Sequence, residues 1–199
     1  MKYPEPGKVK TRLAKDIGAE AAASLYRQAS EKNLTVLAGV GGPFRLIVAF
    51  DPPENETEIK KWLNRFPVTD FLPQKGVELG ERLEHAFHFA FRGDAGAFRK
   101  LRVMALGSDT LGLTHEIICK GFCALDSHDC VIGPTRDGGY YLIGLSFEER
   151  DIFRNIPWST SEVYSRTVQY LNKAQLSYCR LPLLEDLDGI ENLTGGVLK

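Results

Sequence analysis

Short apolar runs alternate with amphipathic stretches along most of the chain, and this alternation limits the possible folds more than any other feature. Residues 44–50 (FRLIVAF) and 102–107 (RVMALG) are apolar runs typical of strands buried on both faces. Apolar residues at helical spacing predict helices near 16–39, 56–66, 77–91, 114–125, 148–155 and 161–173. This order predicts an α/β fold with a mostly parallel, mixed central sheet between two layers of helices.

Two further segments complete the predicted sheet. Residues 129–146 (DCVIGPTRDGGYYLIGLS) predict two strands joined by a turn at 134–139, and residues 176–184 (LSYCRLPLL) predict a final strand. A short terminal helix is expected after the acidic residues that follow this strand. Because the 199 residues contain no repeat, low-complexity tract or linker, we predict a single domain over 1–199.

Bulk charge and hydropathy exclude several classes of partner. A net charge of −1 and a pI near 6.4 provide no general basic field for nucleic acid. The longest apolar run is about half of the roughly 20 residues that a membrane span needs. The first ten residues, MKYPEPGKVK, lack the apolar core of a signal peptide. We therefore expect a cytoplasmic protein with no membrane span and no nucleic-acid partner.

A basic segment near the N-terminus is the first candidate for chemistry. It combines a Pro-Gly bend, three cations within five residues and a hydroxyl, in the order Pro6, Gly7, Lys8, Lys10, Thr11 and Arg12. Phosphate groups need clustered donors, positive charge and a backbone that approaches closely. The alternative is a solvated basic tail. Alternation of the cations with Val9 and Leu13 favours an ordered segment.

Aspartates follow two of the predicted strands. Asp109 comes just after the strand at 102–107, in Gly107-Ser108-Asp109, and Asp186 and Asp188 follow the last strand. In open α/β sheets the ligand lies at the carboxyl ends of the strands, where carboxylates can hold Mg²⁺ or Mn²⁺ together with substrate phosphates. The alternatives are a turn or helix-capping role for Asp109, and a helix N-terminus for the last two acids.

The turn between the paired strands is the third candidate. Its glycines permit close approach of backbone to a ligand, and its polar and aromatic neighbours suit a pocket wall: Thr135, Asp137, Gly138, Gly139 and Tyr140. The alternative is an ordinary hairpin turn built on Asp-Gly.

Several of these motifs, in this order, resemble a known family. PEPGKVKTRL, QKGVELGERL (74–83), GSD, GPTRDGGYYLIGL, PWST (157–160) and LEDLDGIENL make the chain look like the DUF2064 group of nucleotide-diphospho-sugar transferases, which have the glycosyltransferase A fold. The group is related to 2-phospholactate and molybdenum cofactor guanylyltransferases. The match covers nearly the whole chain, and GPTRDGGYYLIGL together with PGKVKTRL is its most specific part.

The resemblance implies a three-layer α/β/α domain that binds a nucleotide with a divalent metal, Mg²⁺ or Mn²⁺. Phosphates would be contacted by the basic segment and Ser108, and the metal by Asp109 with Asp188, or alternatively Asp186. The resemblance places Asp137 and Tyr140 at the transferred group or acceptor. Arg82, in LGERL, is a further pocket candidate, with a solvated helix arginine as the alternative.

Two departures from the family pattern stand out. Leu111 occupies a position where the family usually has proline, which changes the loop but keeps Asp109. Family members also begin with a buried strand before the PEPG loop, whereas only Met1-Lys2-Tyr3 precedes it here, so the first strand looks truncated. An exposed sheet edge is unfavourable. We therefore expect that the true start lies upstream, or that a second chain pairs with the edge in a homodimer.

Three functions are compatible with these features. The first is metal-dependent transfer of a sugar from a nucleotide-diphospho-sugar to a small-molecule acceptor, with Lys10 and Arg12 stabilising the departing diphosphate and Asp137 as general base. The second is nucleotidyl transfer, in which a phosphorylated substrate attacks a nucleoside triphosphate and releases pyrophosphate. The third is a non-catalytic nucleotide-binding protein.

Overall fold

The computed structural model describes residues 1–41, 44–93 and 101–190. These residues form two compact units. The first unit contains Met1–Pro73, Gly107–His115 and the segment that starts at Glu185, and the second contains Gln74–Leu106 and Glu116–Leu184. A single domain over the whole chain, and its three-layer arrangement, stay predictions.

Helices and strands alternate along the chain, as the sequence predicts. The helices are α1 (Ala14–Ile17), α2 (Ala19–Ala38), α3 (Glu56–Leu63), α4 (Leu79–Arg92), α5 (His115–Ala124) and α6 (Val163–Lys173). The strands are β1 (Ile47–Phe50), β2 (Asp70–Pro73), β3 (Val103–Leu106), β4 (Thr110–Leu111), β5 (Cys130–Pro134), β6 (Tyr140–Leu145), β7 (Tyr178–Arg180) and β8 (Glu185–Asp186). None of the helices in the described ranges is long and apolar enough to cross a membrane.

The core of the first unit forms around α2. This helix is rich in alanine, the residue with the highest helix propensity, and its buried face includes Ala22, Tyr26 and Leu34. That face belongs to the same apolar cluster as Phe50 of β1 and Leu63 of α3. The cluster fixes α2 in the unit that also contains the basic segment.

Two small sheets complete the first unit. β1 and β2 are parallel, in a register that pairs Ile47 with Asp70, and β4 and β8 are antiparallel. The start of the chain lies beside the carboxyl end of β1, because the Asp51 N–H donates to the carbonyl of Met1 (3.0 Å) and the Met1 ammonium contacts the carbonyl of Ala49.

The second unit contains a four-stranded sheet in the order β3-β6-β5-β7. β3–β6 and β5–β6 are antiparallel, whereas β5–β7 is parallel. β5 is buried along its whole length and β6 from Tyr141 onward. Side chains from these strands pack with Phe87 of α4 and Leu171 of α6.

The structure corrects two sequence predictions and adds three strands. Mostly parallel pairing is wrong for the described strands, because the β5–β6 hairpin supplies the centre of the four-stranded sheet and the sheet is mixed. Residues 148–155 form no α-helix; they contain only a 3-10 turn over Asp151–Phe153, in which Ile152 and Phe153 are buried. β2, β4 and β8 were not predicted. The short terminal helix expected after Asp188 lies outside the described residues.

Gly144 provides a test of the packing in the second unit. It pairs with Met104 of β3 and Val131 of β5, and a Cβ there would lie 2.6 Å from Val131 Cγ1 and 2.7 Å from Met104 Cγ. We expect Gly144→Ala to destabilise the protein by about 1–3 kcal/mol through overpacking. Urea unfolding measures the change. Gly41→Ala, which places its Cβ in open space, is the control and should have a much smaller effect.

Candidate functional site

The basic segment is an ordered part of the first unit. A turn at Gly7 (φ +80°) is closed by the Lys8 N–H, which donates to the carbonyl of Glu5 (3.0 Å). Val9 and Leu13 are buried in the core, as their alternation with the cations predicts. Because these apolar side chains anchor the segment, it is not a frayed tail.

Antiparallel pairing of β4 with β8 brings together two acidic segments, residues 107–110 around Asp109 and residues 185–188. Thr110 of β4 pairs with Asp186 of β8, and the Leu187 N–H donates to the carbonyl of Asp109 (3.1 Å). Asp109 therefore lies beside Asp186 and Asp188, although these residues are far apart in the sequence.

Lys10 connects the basic and acidic segments. Its ammonium Nζ donates to Asp188 Oδ1 (2.8 Å) and also contacts Asp109 Oδ2. Only 13% of the Lys10 side chain is exposed. Burial alone would lower the pKa of Lys10, but the charges and hydrogen bonds of the two carboxylates outweigh burial and raise it above its ordinary value. Lys10 is therefore a partly buried cation held between two acids.

Asp186 is partly buried, and its Oδ1 atom is shielded from solvent. Its Oδ1 has no hydrogen-bond partner among the described residues. Burial raises the pKa of the Asp186 carboxyl to about 7, and the negative charge of Asp109 contributes to the same rise. A cation near this carboxyl would relieve both effects.

A cavity of about 420 Å³ opens over these groups in the first unit. Its lining residues are Lys2, Lys8, Val9, Lys10, Thr11, Arg12, Tyr26, Asp109 and Asp188. Six of these were predicted to bind phosphate or metal: Lys8, Lys10, Thr11, Arg12, Asp109 and Asp188. They are joined by Val9 and by two residues that the sequence did not single out, Lys2 and Tyr26. Tyr26 has the helical spacing of an apolar packing residue in the predicted helix at 16–39, and nothing in the sequence indicates a role for its hydroxyl.

The donor set suits a hard cation such as Mg²⁺ or Mn²⁺. Asp109 and Asp188 contact the same ammonium nitrogen, so both carboxylates can reach a single positive charge at that position. Within 1–41, 44–93 and 101–190, no three or more His, Cys, Asp or Glu side chains are arranged to hold a metal ion. One or two carboxylates are what Mg²⁺ usually takes from a protein when phosphates supply the remaining ligands.

The predicted substrate-pocket residues lie in the second unit, on the turn between β5 and β6. Asp137 is exposed, and its Oδ1 accepts hydrogen bonds from the Thr135 hydroxyl (2.5 Å) and the Gly139 N–H (3.1 Å). Gly138 has φ +88° and packs against the backbone of Ser161. These features also fit the alternative of a self-stabilised hairpin turn.

Tyr140 and Arg82 differ in their surroundings. The Tyr140 hydroxyl oxygen is buried, and its ring packs edge-on against Trp158 (centroids 6.2 Å apart). Arg82 lines a cavity of about 340 Å³ with Val77, Glu78, Leu79, Trp158 and Ser159. Its Nε donates to the carbonyl of Gly76 (3.1 Å). The Arg82 side chain therefore lines a cavity, whereas the Tyr140 hydroxyl is buried inside the second unit.

Comparison with known proteins identifies both a family and a fold. The model of the family described as "Uncharacterized protein conserved in bacteria (DUF2064)" matches residues 35–160. No curated protein gives a significant match to the chain. A solved structure from Desulfovibrio desulfuricans G20, described as a "putative nucleotide-diphospho-sugar transferase", is 39% identical with a TM-score of 0.86, and the match covers 97% of this chain and 81% of that chain.

Two more distant structures share the fold. One is 4-diphosphocytidyl-2C-methyl-D-erythritol synthase from Anaerococcus prevotii DSM 20548 (TM-score 0.59, 12% identity, 83% of this chain and 82% of that chain). The other is CMP:2-keto-3-deoxy-manno-octonic acid synthetase complexed with CTP (TM-score 0.53, 13% identity, 98% and 92%). At such low identity they show the fold alone, a mixed α/β fold found in nucleotide-diphospho-sugar transferases and nucleotidyltransferases.

The surroundings of Asp186 predict that the substitution Asp186→Asn increases the stability of the folded protein by an amount that depends on pH. The folded pKa of about 7 lies above the unfolded value of about 3.9, so the stability that protonation contributes is present below pH 4 and lost as the pH rises through 7. In EDTA at pH 8 we expect Asp186→Asn to be more stable than the wild type by an amount on the order of 1–3 kcal/mol. The difference should shrink towards pH 4.

Urea unfolding between pH 4 and 8 measures this difference. Asp16→Asn, at an exposed position of α1, is the control and should show no such trend. A difference between Asp186→Asn and the wild type that does not change with pH would contradict the prediction.

Proposed function

Because the chain belongs to the DUF2064 family, we propose that it is a metal-dependent, glycosyltransferase-like enzyme that transfers a sugar from a nucleotide-diphospho-sugar to a small-molecule acceptor. The observation that carries the proposal is the contact of Lys10 with both Asp109 and Asp188 at one cavity. A nucleotide diphosphate needs cations for its oxygens and carboxylates for its metal. The cavity supplies both.

Lys8, Lys10 and Arg12 bind the diphosphate in this proposal. All three side chains line the cavity, together with Thr11, whose hydroxyl can donate to a phosphate oxygen. The turn at Pro6-Gly7 lets the backbone approach the phosphates, and the Ser108 hydroxyl is a further donor. As negative charge develops on the departing diphosphate, fixed cations that already face it stabilise that charge.

Asp109 and Asp188 would hold Mg²⁺ or Mn²⁺. When bound, the metal neutralises charge on the phosphate oxygens and orients them. Asp188 is preferred over Asp186 as the second ligand, because Asp188 contacts the same ammonium as Asp109. Asp186 lies on the strand paired with β4, where burial and the charge of Asp109 disfavour its ionised form.

Asp137 is the proposed general base for an acceptor hydroxyl. Its described hydrogen bonds use Oδ1, so Oδ2 is the oxygen that would accept the proton. Thr135, Gly138, Gly139 and Tyr140 would shape the surrounding turn, and Arg82 would contact the acceptor at its own cavity.

Nucleotidyl transfer is the second candidate. Three cations on one cavity suit a triphosphate as well as a diphosphate, and the fold is shared with two nucleotidyltransferases. The products separate the two reactions, since only nucleotidyl transfer releases pyrophosphate. In the third alternative, a non-catalytic protein, nucleotide binding would not depend on metal.

The proposed function predicts metal-dependent release of a nucleoside diphosphate. Purified protein would be incubated with nucleotide sugars, and separately with nucleoside triphosphates and small phosphorylated acids, with Mn²⁺ and with EDTA. We expect nucleoside diphosphate without pyrophosphate, only with Mn²⁺. Asp109→Asn should lower the rate by about 100-fold or more, since removal of a preorganised electrostatic group costs this much. Asp16→Asn is the control. Pyrophosphate release would favour nucleotidyl transfer, and metal-insensitive binding without turnover would favour the non-catalytic protein.

Lys10→Met tests whether Lys10 occupies the place of the metal. The variant keeps the side-chain length but leaves Asp109 and Asp188 without their shared cation. We expect Mn²⁺ to bind the nucleotide-free variant about tenfold more tightly than the wild type, because a competing charge is gone. Without metal, nucleoside diphosphates should bind more weakly.

Isothermal titration calorimetry measures both affinities. Lys8→Met, whose side chain is 72% exposed, is the matched control and should leave Mn²⁺ binding unchanged. Equal Mn²⁺ affinity of Lys10→Met and the wild type would contradict the competition.

A further inference from the structure

Helix α2 carries three polar side chains on its buried face, Tyr26, Ser30 and Asn33, and Tyr26 and Asn33 make hydrogen bonds to residues outside the helix. Tyr26 and Asn33 are each only 4% exposed, among alanine and leucine residues of the same face. Buried polar groups are costly unless they find hydrogen-bond partners. The partners of these two side chains lie outside the helix, in the segments that carry the candidate site.

Asn33 holds the backbone on both sides of Asp109. Its Nδ2 donates to the carbonyl of Ser108 (3.2 Å) and to the carbonyl of Thr110 (3.0 Å). One amide group thus holds the Ser108–Asp109 peptide group and the Thr110–Leu111 peptide group, one on each side of Asp109. Rotation of the Ser108–Asp109 peptide group, which would redirect the carboxylate, breaks its hydrogen bond to Asn33.

Tyr26 joins the acidic segment to the start of the chain. Its hydroxyl accepts a hydrogen bond from the Lys2 N–H (3.0 Å) and shares a second with Ser108 Oγ (3.1 Å). Burial raises the pKa of the Tyr26 hydroxyl, so it stays protonated at neutral pH and can both donate and accept. Lys2 leads directly into the basic segment.

The pairing of β4 with β8 supplies the opposite support. The Leu187 N–H donates to the carbonyl of Asp109, so this residue is held from the β8 side as well as from α2. Thr110 makes a further internal bond, from its hydroxyl to the carbonyl of Gly107 (3.3 Å).

We infer that Asn33 and Tyr26 are positioning residues: Asn33 sets the direction of the Asp109 carboxylate, and Tyr26 fixes the N-terminal segment relative to the same loop. The inference rests on the proposed function, since it concerns the metal-ligand role of Asp109. Asn33 acts on the acidic segment alone, whereas Tyr26 acts on both segments. The two residues therefore differ in the effects they should have.

Asn33→Ser and Tyr26→Phe separate these effects. Serine is too short to span both carbonyls, and phenylalanine keeps the ring in the core but removes the hydroxyl. Binding of ADP, GDP, CDP and UDP is measured by calorimetry, once with Mn²⁺ and once with EDTA. The ratio of the two affinities is the metal enhancement. A general loss of stability does not change this ratio in the folded protein.

We expect Asn33→Ser to reduce the metal enhancement about fivefold or more and to leave the affinity in EDTA within about twofold, the effect of losing one buried hydrogen bond at one segment. Tyr26→Phe should lower both affinities. The matched control is Tyr141→Phe in the second unit, which removes a buried hydroxyl that donates to the carbonyl of Pro182 (3.2 Å). It should change neither affinity.

Hydrogen–deuterium exchange gives a second measurement that needs no ligand. Asn33→Ser should speed exchange at residues 108–111 but not in β5 or β6. If Mn²⁺ increases nucleotide affinity by the same factor in the wild type and in Asn33→Ser, the inference is wrong. The proposed function is not contradicted by that result. A wild type whose nucleotide affinity ignores Mn²⁺ would contradict the proposed function and the inference with it.

Discussion

The pairing of two very short strands determines where the charged groups of the first unit lie. β4 and β8 contribute two residues each, yet their register places Thr110 opposite Asp186 and brings Asp109 next to Leu187. Strands of two residues have little stability of their own. Burial of Leu111 and Leu187 in the same core as α2 supplies the missing free energy. Apolar packing thus holds together three acids that repel one another.

Repulsion among these acids makes a cation a structural requirement. The raised pKa of Asp186 shows that burial and the charge of Asp109 already disfavour a third negative charge. Lys10 meets the requirement from a backbone in the left-handed region (φ +47°), which is unfavourable for a side chain other than glycine. Strained backbone of this kind persists where the surrounding structure holds it, commonly at functional sites. In the proposed function, a metal bound with the nucleotide would supply this positive charge and free Lys10 to contact the phosphates.

Sequence patterns predicted those elements whose residues have a clear period or turn chemistry. The apolar runs of β5 and β6 and the Gly138 turn are of this kind, as is the alternation that buries Val9 and Leu13. Strand direction was not readable, since an apolar run looks the same in a parallel and an antiparallel sheet. The predicted helix at 148–155 failed because Ile152 and Phe153 are buried through a 3-10 turn, which has no long period to recognise.

Much of the candidate site was predictable because its charged residues follow a bend or a strand, as Lys10 and Asp109 do. Its supporting residues were not. Asn33 and Tyr26 lie on the apolar face of α2, where spacing alone predicts a role in packing. Their partners are the Lys2 N–H, 24 positions away, and the backbone groups and hydroxyl of Ser108 and Thr110, 75 to 82 positions away. Because every residue has a backbone carbonyl, the sequence does not show which carbonyls accept these hydrogen bonds. A polar residue on a buried helix face is therefore the sequence feature that indicates a contact with a distant loop.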